Sequence, residues 1–102
     1  MVILINEQVT ERLLGAAFAA EIAVEAEVKL PVVHKGTTLD MGFRLDLLVG
    51  GSVVVEVKAV QRILPIHRAR LLTYLKLSGR RVGLLLNFNT AHLRDGITRI
   101  VL

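Results

Sequence analysis

Between Arg44 and Ala59 the chain reads Arg-Leu-Asp-Leu-Leu-Val-Gly-Gly-Ser-Val-Val-Val-Glu-Val-Lys-Ala, two apolar runs flanking a glycine pair, with charges set inside them. Both glycines adopt positive φ without steric cost, so Gly50-Gly51 reads as the turn of a β-hairpin joining strands Gly42 to Val49 and Ser52 to Val60. Alternation along the second strand sends Val54, Glu56 and Lys58 to one face and Val53, Val55, Val57 and Ala59 to the other. The turn folds Glu56 back toward Asp46. Upstream, Asn6 is an N-cap for a helix from Glu7 to about Ala23, with Val9, Leu13 and Ala16 or Ala17 recurring at helical spacing. Glu25 to Leu30 alternates as a strand, and Pro31-Val32-Val33 leads into a His34-Lys35-Gly36-Thr37 turn.

Downstream, Pro65 opens a second helix that runs to Ser78, since its missing N–H costs nothing in the first turn, and Gly79 closes it. Its apolar stripe is read as Ile66, Ala69, Leu72 and Leu75. Val82 to Asn87 is a short continuous apolar run, which fits a strand buried on both faces. A strand, a helix and a further strand imply parallel pairing, right-handed by default. Thr98 to Leu102 reads as a terminal strand after an Arg94-Asp95-Gly96 turn. The predicted fold class is therefore α/β (α+β), with a mixed four- to five-stranded sheet, flanking helices and the order αβββαβ.

A length of 102 residues suits one domain, here taken as 1–102. Hydrophobic residues make up 53% of the chain, yet no run approaches the roughly 18 uncharged residues that span a bilayer. No export signal is visible after Met1. With no cysteines, disulfides and thiolate metal sites are excluded, which fits a cytoplasmic protein. The net charge of +4 is unevenly spread. Arg62, Arg68, Arg70, Lys76, Arg80 and Arg81 lie together without an acid between Gln61 and Arg81, a basic segment suited either to phosphates or to a solvated helix face.

Ionised groups inside apolar strands need a partner, a metal or solvent. Two carboxylates and an ammonium converging at a hairpin form a metal-dependent hydrolase pattern; a structural ion pair between neighbouring strands is the plainer alternative. The surrounding residues narrow the choice. Lys35-Gly36, Leu39-Asp40, Gly42-Phe43-Arg44, Asp46-Leu47-Leu48-Val49, Val55-Glu56-Val57-Lys58, Pro65-Ile66-His67, Leu71-Leu72-Thr73-Tyr74-Leu75, Asn87-Phe88-Asn89 and Leu93-Arg94-Asp95-Gly96-Ile97 together resemble the GxxExxY protein family of the PD-(D/E)XK nuclease superfamily.

That resemblance implies a restriction-endonuclease-like core and hydrolysis of nucleic-acid phosphodiesters, with DNA favoured over RNA. It implies Mg²⁺ or Mn²⁺ held by Asp46 and Glu56, with Lys58 as the third catalytic residue. Arg70, Arg68 and His67 become candidate phosphate ligands. The sequence departs from the family twice. The segment bearing the Gly-x-x-Glu-x-x-Tyr signature is missing, and with it the usual extra acid, for which Glu11 and Glu21 are the candidates. Arg70 also stands where the family carries glutamine. A sheet short of one helix is expected to expose apolar area, hence a homodimer or larger assembly. The alternative function is a non-catalytic nucleic-acid-binding or homo-oligomeric module that retains the nuclease core.

Overall fold

The computed structural model describes residues 19–102. Strands β1 (Val24–Lys29), β4 (Arg44–Val49), β5 (Val53–Lys58), β6 (Val82–Asn87) and β7 (Ile97–Val101) form one sheet in the order β1-β4-β5-β6-β7. Two short strands, β2 (Val32–His34) and β3 (Thr37–Leu39), make a separate hairpin between β1 and β4. Helix α1 (Pro65–Ser78) connects β5 to β6, and a 3₁₀ turn at Leu93–Gly96 precedes β7. Pairing is antiparallel throughout the sheet except for the parallel β5–β6 ladder that the strand-helix-strand pattern predicts. This mixed five-stranded sheet with a crossing helix is the restriction-endonuclease-like core expected from the sequence.

The predicted turns form for the predicted reasons. Gly50 and Gly51 have φ of 60° and 70°, and Ser52 N–H donates to the Val49 carbonyl at 3.1 Å. Gly79 closes α1 in the left-handed conformation, where its N–H reaches the Leu75 carbonyl. Pro65 stands in the first turn of α1, and the residue before it, Leu64, is extended as proline requires.

One core lies between sheet and helix: Leu30, Leu45, Leu48, Val54 and Leu85 meet Leu71 and Leu75. The stripe that packs is therefore Leu71 and Leu75 with half-buried Tyr74, whereas Ile66 and Ala69, counted in the predicted stripe, are exposed. Helix and sheet approach most closely at Gly83, where a Cβ would stand 2.9 Å from both δ-carbons of Leu71. On the other face Leu47, Val55, Val57 and Leu86 form a second cluster and are all buried, with Val57 only 4% exposed. These four positions are covered, whereas Ile22, Ile97 and Val101 remain exposed.

Two further corrections concern the N-terminal side. The Asn6 cap and most of the first predicted helix lie outside the described residues. The helical conformation at Ala19 gives way to a turn at Ala20 and Glu21, and Glu21 has φ of 58°, so the helix does not reach Ala23.

The second correction is a slip in the alternation of β1 and β4. Leu45 and Leu47 are two apart and would share a face in a regular strand, yet Leu45 packs on the helix side and Leu47 on the opposite side. In β1, Val28 and Val24 are divided in the same way. The ladder pairs Ala26 with Leu47 and Val28 with Leu45, which leaves Glu27 opposite Asp46 at the slip. Glu27 holds a φ of 51°, a left-handed conformation that costs a non-glycine residue about 1–2 kcal/mol.

Candidate active site

The slip falls beside Asp46, where the regular β4–β5 ladder ends. Pairs 47–55, 48–54 and 49–53 continue to Asp46 opposite Glu56, but there the backbone bonds stop and the side chains take over. Asp46 N–H donates to Glu56 Oε1 at 3.3 Å, and Val57 N–H donates to Asp46 Oδ2 at 2.8 Å. Each carboxylate therefore accepts from the backbone of the other's strand. Asp46 is half-buried and Glu56 is buried.

This proximity has an electrostatic cost. Burial, and then the charge of Asp46, push the Glu56 carboxyl up to about 8; the Asp46 N–H and the Lys58 ammonium oppose the shift without cancelling it. Glu56 consequently carries a proton at neutral pH in the metal-free chain. Lys58 is half-buried two residues further along β5, on the Glu56 side of the strand. The alternation predicted for β5 thus holds, with Val54 in the helix-side core and Val53, Val55 and Val57 in the other cluster.

The exit of β5 is clamped by Asn87. Lys58 pairs with Asn87 in the parallel ladder, and Phe88 N–H donates to the Lys58 carbonyl at 2.8 Å. The Asn87 amide then binds both backbone groups of Val60: its Oδ1 accepts from Val60 N–H at 3.1 Å and its Nδ2 donates to the Val60 carbonyl at 2.9 Å. The same Oδ1 also accepts from Asn89 N–H at 3.2 Å. Gly96 closes against this unit so tightly that a Cβ would fall 2.0 Å from the Asn87 carbonyl oxygen. Asn87 thus supports shape, and the shape it supports is the segment carrying Lys58.

Helix α1 places Tyr74 near the carboxylates and Arg70, one turn back, near Tyr74. Burial and the charges of Glu56 and Asp46 raise the Tyr74 phenol, while Arg70 opposes the rise, so all four groups share one electrostatic neighbourhood. Tyr74 also packs on Phe43 with ring centroids 5.9 Å apart. Its four-residue spacing from Arg70 puts the two side chains on one face of the helix.

The remaining candidates separate. Arg68 is exposed and, two residues from Arg70, lies roughly 160° away around the helix. The Nδ1 of His67 accepts from Leu64 N–H at 2.9 Å and so caps α1, leaving the other ring nitrogen for any ligand. Glu21 sits at the opposite end of β4, beyond the Ala23–Gly50 hydrogen bond, and does not join Asp46. Glu11 lies outside the described residues. Among the described residues no third Asp, Glu or His completes a metal-binding group with the pair.

The sequence model of the PD-(D/E)XK nuclease superfamily matches residues 4–100. The chain belongs to this superfamily. Neither curated proteins nor solved structures yield a match. In this nuclease-like domain the Asp46, Glu56 and Lys58 constellation lies at the hairpin-to-helix end of the sheet. The donor set fits a hard divalent cation: two oxygen ligands converge, one is buried, and their mutual repulsion is what a cation relieves. No helix among the described residues is long and apolar enough to cross a membrane.

Proposed function

We propose that the protein is a Mg²⁺- or Mn²⁺-dependent phosphodiesterase acting on DNA. The observation that carries this reading is the reciprocal bonding of Asp46 and Glu56 across β4 and β5, which brings two carboxyl groups together beside Lys58 and keeps a proton on Glu56. A structural ion pair would join opposite charges; here like groups are held together at a cost to the metal-free chain, which a bound cation removes.

Asp46 and Glu56 would hold the ion, Glu56 losing its proton as it does so. A bound divalent ion supplies Lewis-acid activation of the attacking water and of a non-bridging phosphate oxygen. Lys58, whose backbone carbonyl accepts from Phe88 N–H beside the Asn87 clamp, orients the water and stabilises charge building on the phosphate. Arg70, exposed beside Tyr74, offers a fork of donors to a phosphate oxygen.

A second reading, a nucleic-acid-binding module without catalysis, is favoured by one observation: among the described residues only two carboxylates meet. Cleavage of supercoiled and linear DNA in Mg²⁺ or Mn²⁺ decides between them. Activity in the wild type that falls at least about 100-fold in Lys58→Ala and Glu56→Gln supports the enzyme. Binding without cleavage in either metal overturns it in favour of the module. In either case the expected setting is cytoplasmic, and sedimentation tests the homodimer expected from the sequence.

A further inference from the structure

The β2–β3 hairpin contributes almost nothing to the core. Of its six strand residues only Val32 is half-buried, and Val33 keeps 68% of its surface open. Two isolated strands of this length are marginal on their own. The hairpin is nonetheless sharply specified. Lys35 and Gly36 have φ of 50° and 76°, which is the type I′ turn that joins directly paired His34 and Thr37. A lysine is a costly choice for the first turn position, where asparagine or glycine is the favoured occupant.

Its placement gives that lysine a use. The hairpin leaves the sheet through Lys29 and Arg44, which pair with each other, and Arg44 is two residues from Asp46. Its base is tied by the Leu30 N–H to Phe43 carbonyl bond at 2.9 Å, and Phe43 packs on Tyr74. The arm therefore starts beside the carboxylates and projects from the end of the sheet where Lys58 lies. From Lys29 to Leu39 there is no acid, and Asp40 just beyond is engaged by Gly42 N–H at 2.9 Å. Lys29, Lys35 and Arg44 against the single Asp40 leave this ribbon net basic. Five residues from base to tip reach up to roughly 16 Å. The major groove of B-DNA, about 12 Å wide and 8.5 Å deep, admits a two-stranded ribbon of this size.

We infer that the β2–β3 hairpin is an arm that enters the major groove of double-stranded DNA and seats one strand over Asp46, Glu56 and Lys58. This rests on the nucleic-acid reading above and adds that the substrate is a B-form duplex. The A-form major groove of double-stranded RNA is too deep and narrow for the arm, and a single strand offers it no groove.

The test uses Lys35→Asn, which removes the charge while leaving Asn-Gly, the preferred sequence for this turn, so folding is maintained. Affinity is measured in EDTA by fluorescence anisotropy for a labelled 20-base-pair DNA duplex, its single strand and the matching RNA duplex, across a salt series. The wild type is expected to bind the DNA duplex best. Lys35→Asn should lose about three- to tenfold on that duplex, lower its salt slope by about one, and leave single-strand binding unchanged. Unchanged duplex binding in the variant, or an equal loss on duplex and single strand, overturns the arm while leaving the nucleic-acid reading intact. A wild type that binds none of the three probes overturns both.

Discussion

Glu56 is the residue on which folding and chemistry compete. Its carboxyl is raised from 4.5 to about 8, so between these values the folded chain holds a proton that the unfolded chain has released. Stability of the metal-free protein is thus fully present below pH about 4.5 and falls as pH rises through about 8. Denaturant titrations in EDTA at pH 5, 7 and 9 are expected to show this decline, and Glu56→Gln, which cannot ionise, should flatten it. The same proton competes with a cation. Mn²⁺ affinity is expected to tighten by up to about tenfold per pH unit from 6 to 8, with close to one proton released per ion at pH 7, as calorimetry in two buffers of different ionisation enthalpy reads directly. Asp46, Glu56 and Lys58 were legible in the sequence from strand alternation across a Gly-Gly turn. The slip at Glu27 and Asp46 was not, because a β-strand pattern of alternating residues gives no sign of a single residue that turns left-handed.

Elements hold these residues in place through two close approaches that depend on glycine. At Gly83 a methyl group would press on Leu71, a flexible side chain at the centre of the helix-sheet core. Gly83→Ala is therefore expected to lift α1 slightly, cost about 1–3 kcal/mol and weaken phosphate contacts made through Arg70. At Gly96 the obstacle is the backbone carbonyl of Asn87, which cannot rotate away, so Gly96→Ala should destabilise more than Gly83→Ala in the same urea titration. The connection β5-α1-β6 and its parallel pairing were readable from Pro65, Gly79 and the apolar run at 82–87. On the inward face of α1 Leu75 was legible, but its partner against the sheet is Leu71, not Leu72 or Ala69. On this helix most positions tolerate either assignment by hydrophobicity alone, and Gly83, which makes room for Leu71, lies a full element away in sequence.

At the scale of the whole molecule, the sheet buries apolar side chains on both faces and concentrates its open functional groups at one end. That end joins three features: the carboxylate pair, Arg70 with Tyr74 on α1, and the basic hairpin. The order of elements foretold the sheet but not this gathering, which needs the antiparallel β1–β4 pairing to return the hairpin to Arg44. Under the proposed function, cation and DNA become mutually dependent ligands at this end. A divalent ion held by two carboxylates retains open positions for phosphate oxygens, so each ligand should raise affinity for the other by the same factor. Duplex affinity measured in Ca²⁺ against EDTA is expected to be at least about tenfold tighter in Ca²⁺, a coupling of about 1.4 kcal/mol. Glu56→Gln should bind in EDTA as well as the wild type, or better, and lose the Ca²⁺ gain. A module that holds DNA without a metal would show equal affinity in both conditions for both proteins, because nothing at the carboxylate pair would then distinguish the bound phosphate from solvent.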